Sequence, residues 1–322
     1  MSRRPLWQRV LIIMATLAVT LVLPAVVAGL LAGSTAVLVV VLGEAAAVSG
    51  AIRSGWARMA RAVPVMAVLT AIGAMVGYGW GWVALLAVVG AVAGFGLPRG
   101  YAPAILFTAL PAVFLTDSLA VSTALLVGVF AGLAGAIGVL LARHLGAART
   151  LDPPAGVERM EWLFTLVLLV VVGGGAAIAV GSGMPHGYWI VLTLIVVGAA
   201  LAAGDTHRNR QRLAGNLGGL AITIPVSFLP LPAWAFYGLA LVLLVWSFTY
   251  LTHRYWLYAL LESAAVVLLV SGGNTGSGVL ATGEARAGAT LIGCAIVGVV
   301  VIGLRHLLPR IPRVSAPESV DA

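Results

Sequence analysis

Apolar residues do not alternate with polar ones along this chain. They accumulate in long unbroken runs separated by short polar breaks, at about 10–32, 35–51, 62–78, 80–97, 103–116, 119–142, 162–181, 187–203, 213–229, 233–251, 255–271 and 286–307. A helix that crosses a bilayer needs about 20 apolar residues. Backbone amides in hydrocarbon must find their partners within the spanning structure, and a continuous apolar run can do so only as a helix. Transmembrane strands would show alternating segments of about ten residues, which are not seen here. The pattern therefore predicts an all-α integral membrane protein of about twelve transmembrane helices, with no sizeable soluble domain.

Composition agrees. The chain has 322 residues, 61% hydrophobic and 9% charged, too few charges to cover a water-exposed surface. The net charge of +8 invites a nucleic-acid reading, but the placement of the charges argues against it. There is no lysine, and 17 of the 18 basic residues fall in alternate connections if the N-terminus is inside. Only Arg286 falls outside that set. This is the positive-inside bias of a multi-pass protein of the cytoplasmic (inner) membrane with both termini cytoplasmic. It also makes membrane lipids expected partners through their anionic headgroups. The first run is longer than a signal-peptide core and reads as a retained helix. Cys294, the single cysteine, has no disulfide partner within the chain.

The most polar long gap, 143–161, contains Pro153 and Pro154 and leaves six runs on each side. The expected organisation is a first membrane half over 1–145, a short cytoplasmic linker over 146–161, a second half over 162–308, and a cytoplasmic tail without structure over 309–322. The halves share a pattern. Arg61 and Arg212 take matching places before a run, and "GVLLARHL" at 138–145 is answered by "VVIGLRHL" at 300–307. Six is even, so two such repeats have the same orientation and a pseudo-twofold axis along the membrane normal. Glycines four apart (Gly29 and Gly33, Gly90 and Gly94, Gly128 and Gly132, Gly215 and Gly219) predict close helix approaches. Tyr78, Trp80, Trp82, Trp162, Tyr188, Trp189, Trp234, Tyr255 and Trp256 are expected as interfacial anchors. Pro24, Pro111 and Pro225 should kink or interrupt their helices.

The second half carries two short motifs. "YWIVLTLIVV", opened by Tyr188 and Trp189, is followed by a basic break with Arg208 and then "RLAGNLGG", with Arg212, Gly215, Asn216 and Gly219. Near the end, "RAGATLIG" places Arg286, Thr290 and Gly293 at Arg-x-x-x-Thr-x-x-Gly spacing. These stretches resemble the fusaric-acid-resistance and aromatic acid exporter family, in which an aromatic pair opens one helix and Arg-x-x-Gly-Thr-x-x-Gly opens the next. Asn216 stands where the family usually has threonine. "LGEAAAVSGAIRSGWARMARAVPVMAVLTAIGAMVGY" is similar to that family's first half. Many members carry a large cytoplasmic domain for which the gap at 143–161 leaves no room. The resemblance implies proton-driven efflux of small organic molecules, aromatic acids among them. The arginines read independently as topology signals and lipid contacts.

A charge at mid-membrane costs roughly 2.5–3.5 kcal/mol on insertion scales and marks function by default. Glu44, in "VVVLGEAAAVSG", and Glu262, in "YALLESAAVV", lie midway along their runs and are the candidates for proton coupling or substrate contact. The competing role is a protonated acid that only holds the bundle together. Asp117 is a weaker candidate, in the turn between the fifth and sixth runs. No arginine or histidine is expected at mid-depth, with Arg212, Arg286 and His186 read as lying near helix ends. That leaves an exporter of anions without an evident positive field. The stretch 271–283, "SGGNTGSGVLATG", reads as a flexible or re-entrant outside loop.

The chain has no His-Glu-x-x-His, no cysteine cluster and no phosphate-binding loop, so neither a metal site nor a bound cofactor nor enzymatic activity is expected. The reading is a secondary transporter with a small-molecule substrate. A major-facilitator-type transporter and a non-transporting membrane scaffold are the alternatives, and self-association is left open.

Overall fold

The computed structural model describes residues 6–144, 161–202, 208–229, 231–247, 250, 254–271 and 277–307. Of the expected regions, the linker at 146–160 and the tail at 309–322 lie outside the described residues. The helices are α1 (Leu6–Ser54), α2 (Trp56–Val76), α3 (Trp80–Gly96), α4 (Ala102–Thr108), α5 (Leu110–Val113), α6 (Val121–His144), α7 (Glu161–Gly181), α8 (Tyr188–Ala202), α9 (Arg208–Ser227), α10 (Ala233–Ser247), α11 (Tyr255–Val270) and α12 (Ser277–Leu307). Among the described residues there is no strand.

Every apolar run is helical, but the segments differ in reach. Among the described residues six are long and apolar enough to cross a bilayer: Thr35–Ser54, Trp56–Val76, Trp80–Arg99, Val121–His144, Glu161–Gly181 and Gly278–Gly303. Within the other helices the apolar stretches described are Val19–Gly33, Ala102–Val113, Tyr188–Ala199, Trp234–Ser247 and Tyr255–Val270. The polar first half of α9 keeps that helix out of both groups. The first two runs are two helical arms, together labelled α1, that meet at a non-helical Gly33 with φ 78° and ψ −171°. Only glycine adopts that backbone without strain, so the break falls there and not at Pro24. The fifth run is divided into α4 and α5, and Pro111, which has no amide hydrogen to donate, stands in the first turn of the second piece.

The bundle presents apolar side chains outward and encloses a set of polar groups within a largely apolar core. Leu23, Leu30, Val68, Val92, Val129, Leu140, Val170, Val299 and Ile302 project from its surface, as side chains solvated by lipid should. The fully or nearly buried set includes Thr70, Thr108, Thr193, Asn216, Ser263, Thr290, Glu44, Glu262, Arg212 and Arg286. Small residues set the helix contacts. A Cβ on Gly43 would meet Ala131 and Ala134, and one on Gly138 would meet the backbone of Glu44, so α6 lies along the second arm of α1. Gly128 faces Ala67 and Ala71 of α2, Gly90 and Gly94 face α7, and Gly215 and Gly219 face α11. Of the spaced glycine pairs, Gly29 and Gly33 depart from expectation, because Gly33 serves the bend and has nothing within 4 Å of its Cβ position.

Of the nine aromatic residues expected as anchors, Tyr78 is half-buried and the other eight divide into two groups. Trp80, Trp162, Trp234 and Trp256 are exposed, as interfacial anchors would be, whereas Trp82, Tyr188, Trp189 and Tyr255 are buried. The buried four are core residues instead of anchors. Their position near helix ends is shared with anchors, but neighbouring helices cover them.

The polar ends of the bundle are sorted. At one end Arg61 donates to the Tyr101 hydroxyl at 2.7 Å, Arg99 pairs with Glu161 at 2.8 Å, and the Arg143 guanidinium stacks 4.7 Å from the Trp56 ring. At the other end the Tyr78 amide donates to the Thr116 carbonyl and the Leu119 amide to the Ala74 carbonyl. Arginines of three connections thus gather at one pole.

Candidate functional site

The site is assembled by three helices of the second half. α9 and α11 pack side by side because Gly215 and Gly219 admit the backbone of Trp256 and Leu260 where a Cβ would collide. That contact brings Arg212, in the second turn of α9, alongside Tyr255, Tyr258 and Glu262, which share one face of α11 at spacings of three and four. α12 closes the site. Gly293 fits against Thr193 and Ile190 of α8, and the Asn216 side-chain amide donates to the Thr290 hydroxyl at 2.8 Å.

The result is an ionic triad. Arg286 Nη2 donates to Glu262 Oε1 at 2.9 Å, and Arg212 Nη1 stands 3.6 Å from Glu262 Oε2 and 3.5 Å from the Tyr255 hydroxyl. Arg212 and Arg286 are each 1% exposed, and Glu262 is 8% exposed. Two guanidiniums share one carboxylate, so the triad keeps one unit of positive charge in the interior. Further donors there have no hydrogen-bond partner: Nε and Nη2 of Arg212, Nε and Nη1 of Arg286, and Nε1 of Trp189. Arg286 also lies 5.3 Å from the centre of the Trp189 ring, a cation–π contact strengthened by the exclusion of water.

These positions correct three sequence expectations. Arg212 and Arg286 are not confined to helix ends. α9 begins at Arg208, five residues before the apolar run, and α12 begins at Ser277, nine residues before its run. Residues 277–283 are therefore the first turns of α12, not an outside loop, and Gly283 is packed over Leu220; residues 272–276 lie outside the described set. Glu262 is not an isolated mid-membrane acid, since it supplies the charge that lets both arginines be buried.

Glu44 has a different setting. It lies on the second arm of α1, 2% exposed, with Oε1 accepting from the Thr20 hydroxyl at 2.8 Å and Oε2 without a hydrogen-bond partner. Asp117 is exposed in the turn between α5 and α6. Arg208 opens α9, and Tyr188 and Trp189 open α8. Neither Asp117 nor Glu44 belongs to the triad.

Two spaces adjoin the site. A cavity of about 70 Å³ reaches Arg212 and Glu262 and is walled by Leu42, Phe107, Phe114, Val196, Tyr258 and Val266. A more open cleft of about 380 Å³ lies between Met184–His186 and the Ala281–Gly288 face of α12. His186 borders that cleft with φ 56°, its ring stacked 5.0 Å from that of Trp189 and its Nδ1 3.1 Å from the Tyr188 hydroxyl. Burial holds this imidazole below its ordinary pKa, favouring its neutral form. Tyr255, Tyr258 and His186 were not singled out by motif. The shared α11 face of Tyr255, Tyr258 and Glu262 was the available signal for the tyrosines.

The Asn216–Thr290 bond has a measurable weight. Asn216→Ala is expected to lower stability by about 0.6–1.7 kcal/mol, read as a drop in the thermal midpoint of the detergent-solubilised protein.

Fold and site together define a polytopic helical membrane protein with a buried ionic network in its second half. Residues 172–300 match the model of a family described as fusaric acid resistance protein-like, and all of the motif residues from Tyr188 to Gly293 fall within that segment. The chain is also 38% identical over 82 residues to inner membrane protein YccS of Escherichia coli (strain K12). That match covers 26% of this chain and 11% of the relative, so the chain spans about a tenth of the curated protein it matches. The family resemblance read from the motifs is borne out over the matched segment. No solved structure gives a significant match.

Proposed function

We propose that the chain is a secondary transporter of the cytoplasmic membrane, a proton-coupled exporter of small organic compounds with aromatic acids among them. The observation that carries this reading is the buried Arg212–Glu262–Arg286 triad beside an apolar cavity. The triad offers a net positive centre to an anion inside a membrane bundle, which the sequence alone did not. The match to the fusaric acid resistance protein-like family points the same way.

The six-plus-six layout is part of the proposal. It is supported by the parallel course of the second arm of α1 with α6, repeated in the second half by α8 with α12. The gathering of arginines at one pole supports cytoplasmic connections there, with both termini on that side. Glu44 is then the proton carrier, because its neighbourhood supplies a hydroxyl where that of Glu262 supplies two guanidiniums.

The test is a toxicity panel of aromatic acids and cationic compounds in cells with and without the gene. Protection against the acids is expected, and protection against cations alone, or none, overturns the reading. In inverted vesicles Glu44→Gln is expected to lose proton-driven efflux while the protein remains folded. Undiminished efflux by that variant removes Glu44 from the coupling.

A further inference from the structure

The two arginines of the triad are not equivalent. Arg286 is clamped: Nη2 is 2.9 Å from Glu262 Oε1, and its guanidinium lies against the Trp189 ring. Arg212 is held more loosely, by one nitrogen only, with Nη1 at 3.5 Å from Tyr255 and 3.6 Å from Glu262. Its Nε and Nη2, the pair that forms the side-on fork of a guanidinium, have no partner although the residue is 1% exposed. Buried donors left unpaired cost free energy, and a fork of this kind matches the two oxygens of a carboxylate. Arg212 also lines the cavity between α1, α8 and α11, whereas Arg286 does not.

We propose that Arg212 is the residue that takes the anionic head of the transported compound, through its Nε–Nη2 fork, while Arg286 stays on Glu262 and positions it. This rests on the transport reading above and divides the labour within the triad. The ligand is an amphipathic monoanion. Its carboxylate replaces the missing fork partner, and its apolar body lies among Phe107, Phe114, Leu192 and Val196. The cavity of about 70 Å³ has room for only a few waters. The walls contributed by α1 and α11 must therefore part to admit an aromatic acid. Glu262 has a second part in this arrangement. It occupies the Nη1 side of Arg212, so an arriving anion adds to the ion pair without having to displace it.

The test is equilibrium binding of benzoate, with benzamide as its neutral isostere, to the purified full chain in lipid nanodiscs by titration calorimetry. It needs no transport, so it can fail independently of the efflux panel. Wild type is expected to bind benzoate at least about tenfold more tightly than benzamide. Arg212→Gln should weaken benzoate by at least about thirtyfold and leave benzamide little changed. If that variant does not fold, the lysine variants decide. Arg212→Lys keeps the charge but loses the fork and should weaken benzoate about tenfold, and Arg286→Lys should weaken it less, since a point charge suffices to hold Glu262. Equal binding of benzoate and benzamide, a larger loss for Arg286→Lys than for Arg212→Lys, or no benzoate binding at millimolar concentration overturns the assignment. The last result would still leave export of neutral compounds standing.

Discussion

Glu262→Gln is expected to destabilise the protein by about 3–5 kcal/mol, because it removes the anion that two buried guanidiniums share. The amide that replaces the carboxylate can still accept from Arg286 Nη2, but it brings no charge. Arg212 and Arg286, each 1% exposed, would then repel one another with little water to screen them. The expected result is a large drop in thermal midpoint in detergent, visible as aggregation on size-exclusion chromatography. The double variant Glu262→Gln/Arg286→Gln should recover part of the loss, since it leaves a neutral, hydrogen-bonding pair and a single cation. A single variant as stable as wild type would show that the triad does not hold α9, α11 and α12 together.

Gly94→Ala is expected to cost about 1–3 kcal/mol from a single methyl group. Its Cβ would fall on the Cα of Thr165 and the carbonyl oxygen of Phe164. Both belong to the backbone of α7 and cannot swing aside, so α3 and α7 would have to separate. Gly90 is in the same position one turn earlier, facing Leu168 and Leu169, so the seam has no slack nearby. Gly174→Ala is the matched comparison. Nothing lies within 4 Å of its Cβ position, and alanine favours a helix over glycine by about 1 kcal/mol. That variant should be neutral or stabilising. Equal stabilities for the two variants, measured as thermal midpoints in the same detergent, would mean that the α3–α7 seam is looser than its geometry.

Sequence pattern located the helices because hydrocarbon imposes one answer on an apolar run, and spaced glycines located three of the close approaches. The motif residues of the second half were legible as a group, and the structure brings Arg212, Asn216, Arg286 and Thr290 to one place. Their partnership with Glu262 was not legible. The pairing joins separate helices, with Glu262 and Arg286 24 positions apart, and nothing local in either helix reports the other. The early start of α12 was hidden for a related reason. Its first turns, "SGVLATGEARAG", are rich in small and polar residues and read as a loop, yet they are helical where Gly283 meets Leu220 of α9. Reading those turns as a loop put Arg286 at a helix end and hid its pairing with Glu262.

The bend at Gly33 has a bearing on how the protein is prepared. The arm ahead of it reaches the bundle through Leu21, Ala25 and Ala28, and it carries the hydroxyl that satisfies one oxygen of Glu44. Trimming the chain ahead of the first long span, a common choice when recombinant production is difficult, would remove Thr20 and strip the Glu44 carboxylate of that bond. An N-terminal deletion therefore leaves a buried carboxylate without its hydroxyl partner in the interior of the first half.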